Sequence, residues 1–285
     1  MLATLNTLVL TGIDARPVKV EVDIQNGVPG FEVVGLASTS IKEARERVRS
    51  AIKNLGYEFP NRKIIVNLAP ADLKKEGSHF DLAIALGILI SSGQLEGHLP
   101  ENMYFSGELS LNGTLRKIPG VLSMALELIN IDKNSMFFVP EANREEAGLV
   151  SEIKSYPVSS LQEVFDFIAG DNSLFSAEPF QVSTNFDQEI LPDFAEVKGQ
   201  ETAKRALQIA AAGLHNVLLI GPPGGGKTML ARRIPGILPE MTREEILETT
   251  RIYSVASLLD SEHPLIHTRP FRAPHKNASA ASIIG

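Results

Sequence analysis

The stretch Gly221–Thr228 reads GPPGGGKT, and it decides how the second half of the chain is interpreted. Glycine at its first and sixth positions, followed by lysine and threonine, satisfies the phosphate-loop pattern. Glycines allow left-handed backbone angles and close approach to phosphates, so that N–H groups can converge on an anion. Lys227 can then supply positive charge to the β and γ phosphates, and Thr228 can offer its hydroxyl to Mg²⁺.

The flanks of this loop favour the same interpretation. The apolar run Asn216–Ile220 predicts a short strand directly before the loop, and a helix is expected directly after it. Thr202–Ala212 predicts a further helix upstream. The alternative is a Gly/Pro turn that happens to precede a lysine, and it leaves the strand–loop–helix context unexplained.

The first 170 residues predict a mixed α/β domain. Pro17–Gln25 alternates apolar and polar residues as a half-buried strand does, and Phe31–Leu36 is expected to return as a second strand after a turn. The helix expected over Ser38–Leu55 would be capped by Ser40. Apolar and turn patterns predict further strands at 63–68 and 136–139, a hairpin over 103–117 around Asn112-Gly113, an all-round apolar central helix at 81–91, and helices at 121–131 and 161–168.

Residues 171–192 predict a linker between domains spanning 1–170 and 193–285. The segment is rich in Ser, Asn, Asp and Pro, which favours an extended connection. We expect Phe175, Phe180 and Phe186 to pin it in places. A long surface loop inside a single domain is the alternative.

Composition bounds the class of protein and its location. The absence of cysteine excludes disulfides, thiolate metal sites and a cysteine nucleophile. The sequence contains neither a signal-peptide pattern nor an apolar stretch of about 18 residues, so a cytoplasmic protein without a membrane span is expected. Residues 1–180 hold 16 basic and 23 acidic side chains, so any nucleic-acid contact requires a local basic patch.

Several runs around the phosphate loop resemble a known family. The segment Glu196–Glu201, with Ala203–Leu207, resembles the part of AAA+ ATPases that covers the adenine. Arg233–Pro239, Arg251–Val255 and above all Arg269–His275 resemble the magnesium-chelatase-related branch, and more narrowly the YifB/ComM proteins. One departure is His275-Lys276, where that family is expected to have two successive histidines.

This resemblance implies a Lon-protease-like N-terminal α/β domain followed by the first part of a AAA+ P-loop NTPase domain. It implies ATP and Mg²⁺ as cofactors, Lys227 as a catalytic residue, Thr228 as the metal ligand, and a hexameric ring in the full-length protein. It also implies DNA, single-stranded or branched, as partner, with branch migration during natural transformation as the function. The residues expected to hold the nucleotide are Val197, Gly199, Gln200, Gly221, Pro222, Pro223, Gly224, Gly225, Gly226, Lys227, Thr228 and Met229.

Two other functions stay open from the sequence: a chelatase-like or chaperone-like motor acting on a protein partner, and a regulatory module that binds nucleotide without hydrolysis. Members of the family continue beyond the position of Gly285 to a Walker B strand, an arginine finger and a helical lid. Phosphoryl transfer depends on such positioned groups. We therefore expect this chain to bind ATP but not to hydrolyse it at a useful rate, and to be a fragment or the product of a truncated gene.

The Lon-like resemblance raises the question of peptidase activity, which needs a serine nucleophile and a lysine base. In the matching run Lys75–Asp81 the nucleophile's position falls on His79, one residue after Ser78, and the lysine's position falls on Leu122. Both catalytic residues are therefore expected to be lost. We expect Ser78 or Gly77 to cap the helix at 81–91, and the domain to serve as a scaffold for oligomerisation or DNA handling.

Three further sets of residues have competing interpretations. A basic cluster near the C-terminus predicts phosphate contacts to DNA, or alternatively a structural loop whose arginines pair with carboxylates; it comprises His267, Arg269, Arg272, His275 and Lys276. A basic helix face is expected to be solvated; it comprises Lys42, Arg45, Arg47, Arg49 and Lys53. Exposed loop histidines are favoured over a zinc site for His263, His267 and His275.

Overall fold

The computed structural model describes residues 2–96, 99–170, 174–179, 191–260, 264–275 and 277–278. They form two compact units, and the first is assembled from two separate parts of the chain. It contains Met1–Gln181 and Thr249–Leu265, and the second contains Val182–Glu248 and Ile266–Gly285. The domain limits expected from the sequence stay a prediction.

A seven-stranded sheet forms the frame of the first unit. The strands of that unit are β1 (Leu2–Thr11), β2 (Asp14–Gln25), β3 (Gly30–Val34), β4 (Lys63–Ala69), β5 (Met103–Phe105), β6 (Glu108–Leu109), β7 (Leu115–Arg116), β8 (Met136–Pro140) and β9 (Lys154–Val158). The large sheet has the order β3-β4-β2-β1-β5-β8-β9, and β6 pairs separately with β7. Four of its six pairings are parallel and two, β1 with β2 and β2 with β4, are antiparallel.

The helices agree with most of the predicted positions. Those of the described residues are α1 (Thr39–Lys42), α2 (Ala44–Asn54), α3 (Asp81–Ser91), α4 (Val121–Ile131), α5 (Arg144–Gly148), α6 (Leu161–Ala169), α7 (Glu201–Ala212), α8 (Lys227–Ala231) and α9 (Arg243–Val255). The predicted helix over Ser38–Leu55 is divided at Glu43 into α1 and α2. Ser38, not Ser40, precedes its first turn.

Helix α3 is the centre of the first unit. All of its residues are buried, as its uniformly apolar sequence predicts. Gly87 permits the closest approach to the sheet, since a Cβ there would lie 2.5 Å from Cγ2 of Val22 and 3.1 Å from Cδ1 of Leu5. The helix therefore lies directly on β1 and β2.

One buried ion pair joins α2 to the first turn of α3. The carboxylate of Asp81 is fully buried and accepts hydrogen bonds from Nε and Nη2 of Arg47, at 2.6 and 3.0 Å. The backbone N–H of Leu109 in β6 donates to the same carboxylate at 3.2 Å. Arg47 is therefore not part of a solvated basic face, and the prediction for that residue is wrong because the helix turns it towards a buried carboxylate.

The segment after the middle of α9 packs within the first unit through polar groups. Nη2 of Arg251 donates to Oδ1 of Asp14 at 2.7 Å and to the carbonyl oxygen of Ile13 at 3.1 Å. The hydroxyl of Ser254 donates to the buried carboxylate of Glu146, which also accepts the N–H of Leu122 at 2.9 Å. Polar bonds thus join residues of the first unit that lie far apart in sequence.

The strand predicted at Phe31–Leu36 is present as β3, which pairs in parallel with β4 at the sheet edge. Two other expectations for local structure are wrong. Asn216–Ile220 forms no strand, and the side chains of Leu218 and Ile220 are 82% and 87% exposed because no described strand lies beside them. Phe175 is 81% exposed and does not pin the linker, whereas Phe180 and Phe186 lie outside the described residues.

Replacing Arg47 by alanine is expected to destabilise the first unit by about 3 kcal/mol at pH 8, because an unpaired carboxylate remains buried. Burial raises the pKa of Asp81 to about 6, against the opposing effect of Arg47. Without Arg47 that pKa rises further. A raised folded-state pKa gives stability that is lost as pH rises through it, so the deficit should be smaller at pH 5 than at pH 8.

Urea denaturation of the full chain at both pH values measures this effect. Arg45→Ala is the matched control, since Arg45 makes only an exposed pair with Glu46 at 3.6 Å and its loss should cost less than about 0.5 kcal/mol. Equal deficits for the two variants, or a deficit at pH 5 as large as at pH 8, would contradict the assignment.

Candidate functional site

The loop 221–228 contains glycines at the positions where its backbone is left-handed. Gly224 and Gly226 have φ of +80° and +77°. A side chain with a Cβ would be strained at both positions. At Gly225 an added Cβ would lie 3.2 Å from the carbonyl oxygen of Pro222. The glycine run is therefore a conformational requirement of this loop.

The ammonium of Lys227 is held inside the curve of the loop. Its Nζ donates to the carbonyl oxygens of Gly221 and Pro222 at 2.9 and 2.7 Å. An ammonium has three N–H donors, so these two bonds leave one for a further acceptor. Nothing lies within 4 Å of a Cβ built at Gly221 or Gly224. The loop thus holds a half-buried ammonium that retains one donor, which fits a phosphate group.

The two residues after the lysine are accessible. Thr228 is exposed, and Met229 is 39% exposed. A hydroxyl next to a phosphate-binding lysine is a suitable partner for a hydrated Mg²⁺. Thr228 is therefore the residue that would hold Mg²⁺ beside a bound phosphate.

The predicted adenine-covering residues lie in the same unit as the phosphate loop. Gly199 and Gln200 have φ of +70° and +59° and lead directly into α7. Val197 just before them is buried. A small core joins this segment to α7 and α8, and its buried members are Phe194, Val197, Leu207 and Leu230.

Arg233 is a further residue of this region whose role the sequence did not reveal. Its guanidinium bonds to the segment 193–196 and to the carbonyl oxygen of Met229. The sequence shows only an arginine pair, and nothing in the pattern distinguishes the inward Arg233 from the exposed Arg232.

The basic cluster near the C-terminus is partly engaged in the fold. Arg269 donates to both carboxylate oxygens of Glu245, the closest contact being 3.0 Å from Nη2, and its Nε donates to the carbonyl oxygen of Pro239 at 2.8 Å. Arg269 therefore pairs with a carboxylate, as the alternative to DNA contact predicts for this cluster. Arg272 and His275 are exposed, and Lys276 lies outside the described residues.

The region matching a Lon-type catalytic site holds no serine–lysine pair. His79 is buried, its Nε2 lies 2.9 Å from the carbonyl oxygen of Leu8, and burial lowers its pKa to about 4. Leu122 is also buried. The hydroxyl of Ser78 donates to Glu108 and does not cap α3, whose first turn has no side-chain cap, so the capping prediction is wrong.

Within the described parts of the chain, no three His, Asp or Glu side chains form a group that could hold a metal ion. His263 lies outside those parts, so the zinc alternative is supported by no described group. In the same residues no helix is both long and apolar enough to cross a membrane.

The α/β fold and the glycine-rich loop are typical of AAA+ proteins. Comparison with known sequences gives the family. The model "Subunit ChlI of Mg-chelatase" matches residues 20–143, and "Magnesium chelatase, subunit ChlI" matches residues 193–285. The chain belongs to this chelatase-related AAA+ family, and within it to the group of YifB and ComM. The predicted resemblance and fold class are confirmed.

Two relatives match nearly the whole chain. Uncharacterized protein YifB of Salmonella typhimurium is 45% identical over 284 residues, which is 100% of this chain and 55% of the relative. Competence protein ComM of Haemophilus influenzae is 44% identical over 278 residues, 96% of this chain and 54% of the relative. The chain thus spans about half the length of these relatives.

A third relative supports the Lon-like similarity. Archaeal Lon protease of Methanothermobacter thermautotrophicus is 31% identical over 121 residues, 42% of this chain and 19% of the relative.

Replacing Arg269 by alanine is expected to loosen residues 264–275, because the side chain joins them to α9 and to Pro239. Hydrogen exchange of the backbone amides there should become about tenfold faster, since charge-assisted hydrogen bonds are lost. Exchange measured by mass spectrometry on the full chain tests this. Arg243→Ala, at an exposed position in the first turn of α9, is the control. Unchanged exchange in Arg269→Ala would show that this arginine does not anchor the loop.

Proposed function

We propose that this chain binds ATP with Mg²⁺ in the loop 221–228. The observation that carries the proposal is the Lys227 ammonium, held by two carbonyl oxygens of its own loop with one donor left. In this role Lys227 stabilises the charge of the β and γ phosphates, and the left-handed glycines let the backbone approach them.

Neighbouring residues complete the proposed site. Thr228 holds Mg²⁺, which when bound neutralises phosphate charge. The segment Val197–Gln200 covers the adenine, and Met229 lies beside the loop.

Lys227→Ala is expected to weaken ATP binding about 30- to 100-fold, because roughly 2 to 3 kcal/mol of charge-assisted hydrogen bonding is removed. Titration calorimetry with ATP and Mg²⁺ measures the Kd. Lys133→Ala, an exposed lysine of the first unit, is the matched control and should bind as the unchanged chain does. An unchanged Kd in Lys227→Ala would refute the assignment of this loop.

We further propose that the protein is an ATP-driven machine that remodels DNA and works as a hexameric ring in the cytoplasm. The support is the likeness to a relative named a competence protein. Arg272 and His275 offer exposed basic groups for phosphate contacts. A motor acting on a protein partner is the second candidate, and the acidic excess of residues 1–180 favours it.

Binding to labelled single-stranded and branched DNA at increasing salt separates these two candidates. A chain that neutralises phosphates should lose affinity steeply with salt, and Arg272→Ala should flatten the slope by about 0.7 per lost contact on single strands. Arg16→Ala, at an exposed position of the first unit, is the control. No measurable DNA binding at low salt, together with capture of a protein partner that is independent of salt, would favour the protein-directed motor.

A further inference from the structure

Arg233 makes three hydrogen bonds that join two separate parts of the second unit. Its Nε donates to the carbonyl oxygen of Asp193 at 2.9 Å, and its Nη2 donates to Oε2 of Glu196 at 2.6 Å. Its Nη1 donates to the carbonyl oxygen of Met229 at 3.0 Å. The side chain is only 16% exposed. One guanidinium thus connects the segment 193–196 to helix α8.

These two parts lead directly to the two halves of the proposed nucleotide site. Glu196 is followed by Val197 and then by Gly199-Gln200, which are expected to cover the adenine. Met229 lies two residues after Lys227 on α8. Arg233 therefore adds directed bonds between the base-covering segment and the phosphate-loop helix, beside the apolar contacts of Phe194 and Val197 with Leu230.

The internal bonds of the phosphate loop do not involve Arg233. Lys227 is held by Gly221 and Pro222, and the left-handed backbone of Gly224 and Gly226 belongs to the loop itself. The loop can therefore keep its shape when the segment 193–200 shifts. A substitution at Arg233 can therefore weaken recognition of the base without weakening recognition of the phosphates.

We infer that Arg233 is a positioning residue that holds the base-covering segment against the phosphate-loop helix, and so determines affinity for the nucleoside part of ATP but not for the phosphates. The inference rests on the proposed ATP binding. Arginine suits the position because its planar fork donates in several directions at once, which an ammonium cannot reproduce in the same geometry. Lysine at this position should therefore rescue only in part.

The experiment compares the Kd for ATP with the Kd for inorganic tripolyphosphate, both with Mg²⁺, on the full chain. Arg233→Ala should weaken ATP binding about tenfold and change tripolyphosphate binding less than about twofold. Arg233→Lys should lie between Arg233→Ala and the unchanged chain. Arg232→Ala is the matched control, since its side chain is exposed one position earlier, and it should alter neither Kd.

A second variant distinguishes the inferred role of Arg233 from a general loss of folding. Glu196→Gln keeps the shape of the segment and removes only the charge that Arg233 meets, so it should weaken ATP binding in the same direction and spare tripolyphosphate. Equal losses for both ligands in Arg233→Ala, with Glu196→Gln unchanged, would overturn the inference. So would unaltered ATP binding in Arg233→Ala. Failure of the unchanged chain to bind ATP would instead overturn the proposed function.

Discussion

The buried pair of Asp81 and Arg47 is the constraint around which the first unit is arranged. Helix α3 is apolar on every side and fills the space beside β1 and β2, so its first turn brings a carboxylate into the interior. Desolvation of that carboxylate is unfavourable unless a cation and N–H donors meet it. Arg47 from α2 and the N–H of Leu109 from β6 provide those groups. The same contact thereby sets the positions of α2 and of the small hairpin.

The second unit depends less on a large core and more on a few directed bonds. Its described core is a small cluster of Phe194, Val197, Leu207 and Leu230, so burial alone gives it little rigidity. Arg233 and Arg269 add ties between segments distant in sequence. Polar ties of this kind are directional, whereas apolar contacts tolerate sliding. One of these two arginines, Arg233, lies outside the phosphate-loop motif and yet bonds to segments on either side of the candidate site.

The local sequence pattern predicted those helices and strands whose signal lies within their own residues. It failed for features that depend on a pairing segment elsewhere in the chain. The limits of α3 and α4 follow from their apolar runs and match the structure. The alternation in β2 revealed a strand, but not that β4 would separate it from β3, since pairing is a long-range property. Asn216–Ile220 is apolar and yet exposed, because a strand needs a neighbour that no local pattern supplies. The phosphate loop was recognisable from residue types alone, whereas the inward direction of Arg233 was not.

The division of the first unit into two stretches of chain has a consequence for biosynthesis. A ribosome completes the sheet and α6 before it makes the phosphate loop, and domains tend to fold as they emerge. Ser254 is translated 108 residues after Glu146, the carboxylate that it meets. The nascent first unit can therefore collapse early, with that carboxylate still lacking its last donor. That donor becomes available only after the phosphate-loop segment has left the exit tunnel, so completion of the first unit waits for the synthesis of residues 182–248 of the second.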